Sequence, residues 1–331
     1  MAEASHPRDT RRLLGLEAQE QAFVDALNSG RLHHAWLLTG PEGVGKASFA
    51  YQAARRLLGA PHDGAGGPLG SSPDSIPARL MAAKSHPDFM VLERMGDDGK
   101  PRKVIPVDEA RQLPEFFSKS PAQAPYRVAI IDAADDLNVN AANAILKTLE
   151  EPPPRGVLFL VSHAPGRLLP TIRSRCRTLA FRVPDADTGE AIVRGQTGLI
   201  AHDAARLLKM AGGSPGLAIR MAELNVLAID DTAHELLNHL KHPDPAPLLA
   251  MADSFRGAEG AERFQMLFER LSDRVRTMAV EQAMSGQGDD LDRWADVWEV
   301  LERLPREAEA LNLDRADSFW TAVRALRAAA A

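Results

Sequence analysis

The sequence predicts an α/β domain built on a parallel sheet, followed by a second half that is helical throughout. Three observations predict this. Short apolar runs at Trp36–Thr39, Val128–Ile131 and Val157–Val161 are continuous rather than alternating, as in strands covered on both faces. Helical patterns separate them. Beyond Val183-Pro184-Asp185 the apolar spacing is helical almost to the end.

In chain order, Trp36–Thr39 is the first strand. Phe49, Ala50, Ala53, Ala54, Leu57 and Leu58 then recur at helical spacing. Gly59–Arg79 is rich in Gly, Pro and Ser and reads as a mobile surface excursion. After the strand at Val128, Ala142, Ile145, Leu146 and Leu149 mark a helix that Pro152-Pro153-Pro154 stops. Strands alternating with helices imply right-handed βαβ units. In the second half one helical cluster runs to about Leu224 and contains the Gly212–Gly216 break. Another starts near Asp230, with helices expected at Thr232–Leu240, Ala261–Met284, Leu291–Leu304 and Ala308–Ala330. The expected domains are therefore 1–183, 184–229 and 230–331.

Composition narrows the function. The chain has 331 residues, 45% apolar and 25% charged, which are ordinary globular proportions. Its formal charge of −6 argues against a surface that coats nucleic acid throughout, though not against a local basic patch. One cysteine, Cys176, makes no internal disulfide or cysteine-cluster zinc site, and it reads as a small apolar residue rather than a reactive thiol. No apolar run is long enough to span a membrane, and the polar start, Met1–Arg12, does not read as a targeting peptide. A cytoplasmic protein is expected.

Gly40-Pro41-Glu42-Gly43-Val44-Gly45-Lys46-Ala47 follows a strand and opens a helix, the context of a phosphate-binding P-loop. Gly40, Gly43 and Gly45 let backbone N–H groups wrap a phosphate, and Lys46 would reach the terminal phosphates. The residue after the lysine should carry a hydroxyl for Mg²⁺, but here it is Ala47. Ser48 is turned away by roughly 100° on a helix. Asp132, ending the strand Val128–Ile131, stands where an acid would hold Mg²⁺ through water; a strand-end or capping aspartate is the alternative. The next residue, where a base would activate water, is Ala133, and Asp135 and Asp136 read as caps of the following segment. With a metal ligand and a base both missing, the site is expected to bind ATP or ADP weakly or not at all and not to hydrolyse it at a useful rate.

Ser162, at the tip of the third strand, stands where a γ-phosphate sensor would, or simply ends the strand. Arg167, Arg173, Arg175, Arg177 and Arg182 cluster in an acidic chain. Leu169 and Ile172 would anchor this segment while the arginines stay exposed. Two readings stand: a solvated basic face, and an arginine finger that acts on a neighbour's nucleotide.

Together these residues resemble the delta-prime subunits of the bacterial DNA polymerase III clamp loader, a branch of the AAA+ family. The resemblance rests on Arg31–Gly40 leading into the P-loop, Ser85-His86-Pro87-Asp88-Phe89, Ile131–Asp135 with Asn140–Pro153, Ser174-Arg175-Cys176, and Leu311–Arg315. Its strong part covers about Arg31 to Arg182. It implies an AAA+/RecA-like P-loop domain, a small helical lid and an all-α C-terminal collar that joins the subunits of a ring. It also implies a stator role, with Arg175 as catalytic finger in trans, the degenerate site at Gly40, Gly43, Gly45, Lys46 and Asp132, and no metal ligand. The implied partners are gamma/tau motor subunits, the delta subunit, the sliding clamp and primed DNA, with no membrane. Members commonly carry a four-cysteine zinc module where this chain has Gly59–Arg79. His62 and His86 alone cannot replace it, so no zinc is expected. A hydrolysing gamma/tau-like motor shares Ser-Arg-Cys, but Ala47 and Ala133 argue against it, and the length leaves no room for the extra domains of a long motor form. A P-loop NTPase of other function would leave the helical second half unexplained.

Overall fold

The computed structural model describes residues 6–94, 102, 104–240, 245–284 and 291–330. The first five residues of the polar start lie outside them. The described chain forms two compact units, Met1–Arg220 and Met221–Ala331.

The first unit contains α1 (Glu17–Asn28), β1 (Ala35–Thr39), α2 (Lys46–Leu57), α3 (Ile76–Ala82), β2 (Phe89–Glu93), α4 (Val107–Ser118), β3 (Arg127–Asp132), α5 (Val139–Glu150), β4 (Gly156–Ser162), α6 (Pro170–Arg173), β5 (Arg177–Ala180), α7 (Ala186–Thr197), α8 (Ala201–Met210) and the start of α9 (Pro215–Glu223). The five strands form one parallel sheet in the order β2-β3-β4-β1-β5. The register sets Glu93 beside Asp132 and Thr39 beside Ser162, so the carboxyl ends of the strands share one edge.

Alternate residues of each strand serve opposite faces. Trp36, Leu38, Val128, Ile130, Val157 and Phe159 pack with Phe23 of α1 and Phe49 and Ala53 of α2. Ala35, Leu37, Ala129, Ile131, Leu158 and Leu160 pack with Leu113 of α4, Ile145 and Leu149 of α5 and Ile172 of α6. Both faces are thus covered, which is why the three inner strands are apolar through their middles, with polar residues such as Thr39, Arg127, Asp132 and Ser162 only at their ends. The edge strands lack that signature and do not stand out in the sequence: β2 and β5 are largely half-buried or exposed.

Gly59–Arg79 differs from expectation. It is packed rather than an excursion: Leu69 is fully buried among the residues of the α1–α2 face. His62 and Ser71 form an antiparallel bridge, and the Leu69 N–H donates to Glu20 Oε1 at 3.1 Å. Ser75 caps α3 within the same stretch. One buried leucine and a few polar bonds hold it, too little to show as periodicity.

Asp185 caps α7 through the Thr188 N–H, so the boundary residues Val183-Pro184-Asp185 lead directly into a helix. The second unit consists of α10 (Val226–Asn238), α11 (Pro245–Ser254), α12 (Gly257–Met284), α13 (Leu291–Leu311) and α14 (Arg315–Ala329), around a core that includes Leu236, Phe255, Phe268, Leu271, Leu301 and Phe319. Asp230 of α10 accepts from Arg274 of α12 at 2.6 and 2.9 Å. Two expected breaks move. α10 starts at Val226, ahead of the expected Thr232. α13 runs through Pro305 because Leu301, Leu304 and Ala308 are buried on either side of it. The chain breaks instead at Asn312 (φ 51°), after which Asp314 caps α14. Among the described residues no helix is long and apolar enough to cross a membrane.

Candidate functional site

The loop between β1 and α2 has the backbone of a phosphate cradle. Gly45 caps α2 in the left-handed region at φ 91°, which an L side chain rarely adopts. Gly43 (φ 77°) is closed in from outside: a Cβ there would stand 2.5 Å from the Leu217 backbone nitrogen. Gly40 lies equally tight against the Phe181 carbonyl. The start of α9 therefore rests on the loop, and the Gly216 N–H donates to the Gly43 carbonyl at 2.8 Å.

Lys46 is buried at the head of α2. Its ammonium donates to the Gly40 carbonyl at 2.6 Å and to the Pro41 carbonyl. Burial lowers its pKa to about 8, against the pull of Asp132, Glu42 and Asp135. Asp132, at the end of β3, is raised to about 6 by burial and by neighbouring Glu93. The structure thus brings Gly40, Gly43, Gly45, Lys46 and Asp132 to one edge of the sheet.

A nucleotide phosphate fits this set only if Lys46 releases the loop carbonyls, and a magnesium ion finds no hydroxyl at Ala47. Ser48 does not substitute, because its Oγ is 3.1 Å from Thr10 Oγ1. Among the described residues, no group of three or more His, Cys, Asp or Glu is placed to hold a metal.

Asp135 differs from the role expected of it. Its carboxylate accepts from the Ser162 hydroxyl at 2.9 Å and from the N–H groups of His163 and Ala164, so it caps the turn after β4 rather than the segment that follows it. Ser162 is buried and committed to that bond. Asp136 pairs with Arg94 at 2.9 Å. Asn138 caps α5 instead; an Asn ahead of a helical pattern is the sequence signal for such a cap.

Arg175 is placed apart from Lys46 in its contacts. It follows α6, a single turn pinned beneath α5 by fully buried Ile172. Its Nη1 donates to the Thr171 carbonyl at 3.0 Å, and its Nη2 is 2.9 Å from Glu150 Oε1 at the end of α5. Nothing in the sequence pattern pairs these two residues. Cys176 is half-buried, and burial pushes its thiol up to about 12, so it is inert at neutral pH.

The family described as DNA polymerase III, delta subunit, matches residues 15–185. The delta-prime subunit of DNA polymerase III from Pseudomonas aeruginosa is 39% identical over 204 residues, 61% of this chain and 60% of that protein. The gamma/tau subunit from Mycobacterium bovis is 28% identical over 307 residues, 84% of this chain and 51% of that protein. The chain thus spans between half and two thirds of the length of these relatives. A gamma subunit-related protein of DNA polymerase III from Thermotoga maritima has the same fold, with a TM-score of 0.51 at 16% identity over 95% of this chain and 98% of that one.

Proposed function

The chain belongs to the DNA polymerase III delta-subunit family, and we propose that it is the non-motor subunit of a clamp loader. In this role it assembles with gamma/tau motor subunits and a delta subunit in the cytoplasm and helps load a sliding clamp onto primed DNA. Arg175 acts in trans on ATP bound by a neighbouring motor subunit. A guanidinium held beside a transferring phosphoryl group stabilises the charge that develops there. Residues 184–229 serve as the lid and 230–331 as this subunit's share of the collar. Any polymerase activity would belong to the larger holoenzyme rather than to this subunit.

One observation carries the reading. The chain's own phosphate loop is satisfied internally, while its arginine stands on an anchored turn with a side chain about one third exposed. Lys46 and Gly216 occupy the loop carbonyls, and Ala47 and Ala133 supply neither metal ligand nor base. When bound, ATP would supply a phosphate for Lys46; Ala133, which follows Asp132, cannot activate water there. Gamma/tau relatives favour a second reading, a hydrolysing motor, but that reading needs the two groups this chain lacks.

Turnover separates the two. The isolated chain with ATP and Mg²⁺ is expected to release phosphate no faster than buffer does, and adding it to purified motor and delta subunits is expected to raise clamp- and DNA-dependent hydrolysis. Turnover by the chain alone, abolished by Lys46→Ala, contradicts the proposal.

A further inference from the structure

Glu150 is the last residue of α5. The carbonyl end of a helix carries partial negative charge, so an acid there is disfavoured unless a cation compensates it. The cation is Arg175, with Nη2 2.9 Å from Glu150 Oε1. Together with the bond from Nη1 to the Thr171 carbonyl, this engages two of the three nitrogens of the guanidinium. Both anchors sit on elements that pack on each other. α6 packs directly on α5, and Ile172 and Leu149 are buried in the same apolar cluster.

An arginine at the surface otherwise samples many rotamers, and a group that acts on a reacting centre must be held near one geometry. Stability does not account for the pair: the side chains are 35% and 50% exposed, and exposed ion pairs contribute little to folding. We infer that Glu150 is the positioning residue of Arg175, fixing the plane in which its guanidinium meets a phosphate held by a neighbouring subunit. The inference rests on the trans role proposed above. Glu150 itself touches no nucleotide; it acts only through Arg175. Because ATP is bound by the neighbour, removing Glu150 should change the rate of hydrolysis and leave nucleotide binding intact.

The test uses the full chain in a reconstituted loader with clamp and primed DNA. Steady-state ATPase is measured for the natural chain, Glu150→Ala, Glu150→Gln, Arg175→Ala and the Glu150→Ala/Arg175→Ala double variant. Thermal melts and size-exclusion profiles check folding and assembly. Glu150→Ala is expected to lower kcat by about two- to fivefold, the effect of losing one partly exposed charge pair, with KM for ATP unchanged. Glu150→Gln, which keeps an acceptor, should fall between it and the natural chain. Glu150→Ala should cost nothing further once Arg175 is absent. If Arg175→Ala slows the loader but Glu150→Ala leaves kcat unchanged or raises it, the positioning role is wrong and the finger stands. If Arg175→Ala itself has no effect, the trans role fails and the inference falls with it.

Discussion

The Gly216 N–H donates to the Gly43 carbonyl at 2.8 Å, joining the first turn of α9 to the phosphate loop by backbone alone. Neither residue can carry a side chain there: a Cβ on Gly216 would stand 2.8 Å from the Gly43 oxygen, and one on Gly43 would stand 2.5 Å from the Leu217 nitrogen. A helix leaves its first N–H groups without partners, and here the loop supplies one. Gly216→Ala should force the two segments apart, lower stability by about 1–3 kcal/mol and speed amide exchange at residue 216. Unchanged exchange and unfolding would show that the contact does not hold the loop closed.

If nucleotide binds at Lys46, this residue should set the pH dependence of binding. Burial holds its pKa near 8 rather than 10.5, so it is charged below pH 8 and loses its proton above it. Only the ammonium attracts phosphate. Affinity for a fluorescent ATP analogue should therefore fall between pH 7 and pH 9, by about tenfold per unit at most. A flat profile would mean that Lys46 does not contact the phosphates.

Asp88 and Arg127 form a buried pair on which the 119–127 segment depends. Arg127 Nε donates to Asp88 Oδ1 at 3.2 Å, and the carboxylate also accepts the N–H groups of Ala122, Gln123 and Ala124. Burial pushes the Asp88 pKa up, but the three amides and Arg127 together bring it below the ordinary value. A depressed acid contributes stability above its unfolded pKa and loses it as pH falls. Asp88→Ala, which leaves Arg127 unpaired, should destabilise the first unit by about 3–5 kcal/mol in urea titrations. A loss below 1 kcal/mol would be at odds with a tightly coupled pair.

Glu20 has the opposite sign. It is fully buried and accepts the Leu69 N–H, and among the described residues its Oε2 has no hydrogen-bond partner. Burial raises its pKa from 4.5 to about 7. An acid with a raised pKa weakens the fold above that pKa, and the penalty lifts as pH falls from 7 toward 4.5. Glu20→Gln keeps the acceptor for Leu69 and removes the charge. It should raise Tm at pH 8 by several degrees and have little effect at pH 5. An equal change at both values would contradict the titration.

The three inner strands are legible in the sequence because each is buried on both faces and so is apolar at every position between its ends. The edge strands β2 and β5 carry no such constraint and are read only after the sheet is known. Pro305 misleads because burial of Leu301, Leu304 and Ala308 outweighs the bond a proline removes. At the site, Lys46 and Asp132 are readable as neighbours because parallel strands bring their carboxyl ends to one edge. The reach of Asp135 to Ser162 and of Glu150 to Arg175 is not, since each pair joins separate elements through side chains alone. The closed state of the loop is hidden for a similar reason: backbone contacts such as Gly216 to Gly43 leave only glycines as their trace.

The central claim is that Arg175 works on a neighbour's nucleotide, and the most direct test is the ATPase rate of a reconstituted loader, with clamp and primed DNA, carrying Arg175→Ala. The account predicts normal assembly by size exclusion and a severalfold or greater fall in rate. Normal assembly with an unchanged rate would contradict it and leave the arginine cluster as a solvated basic face.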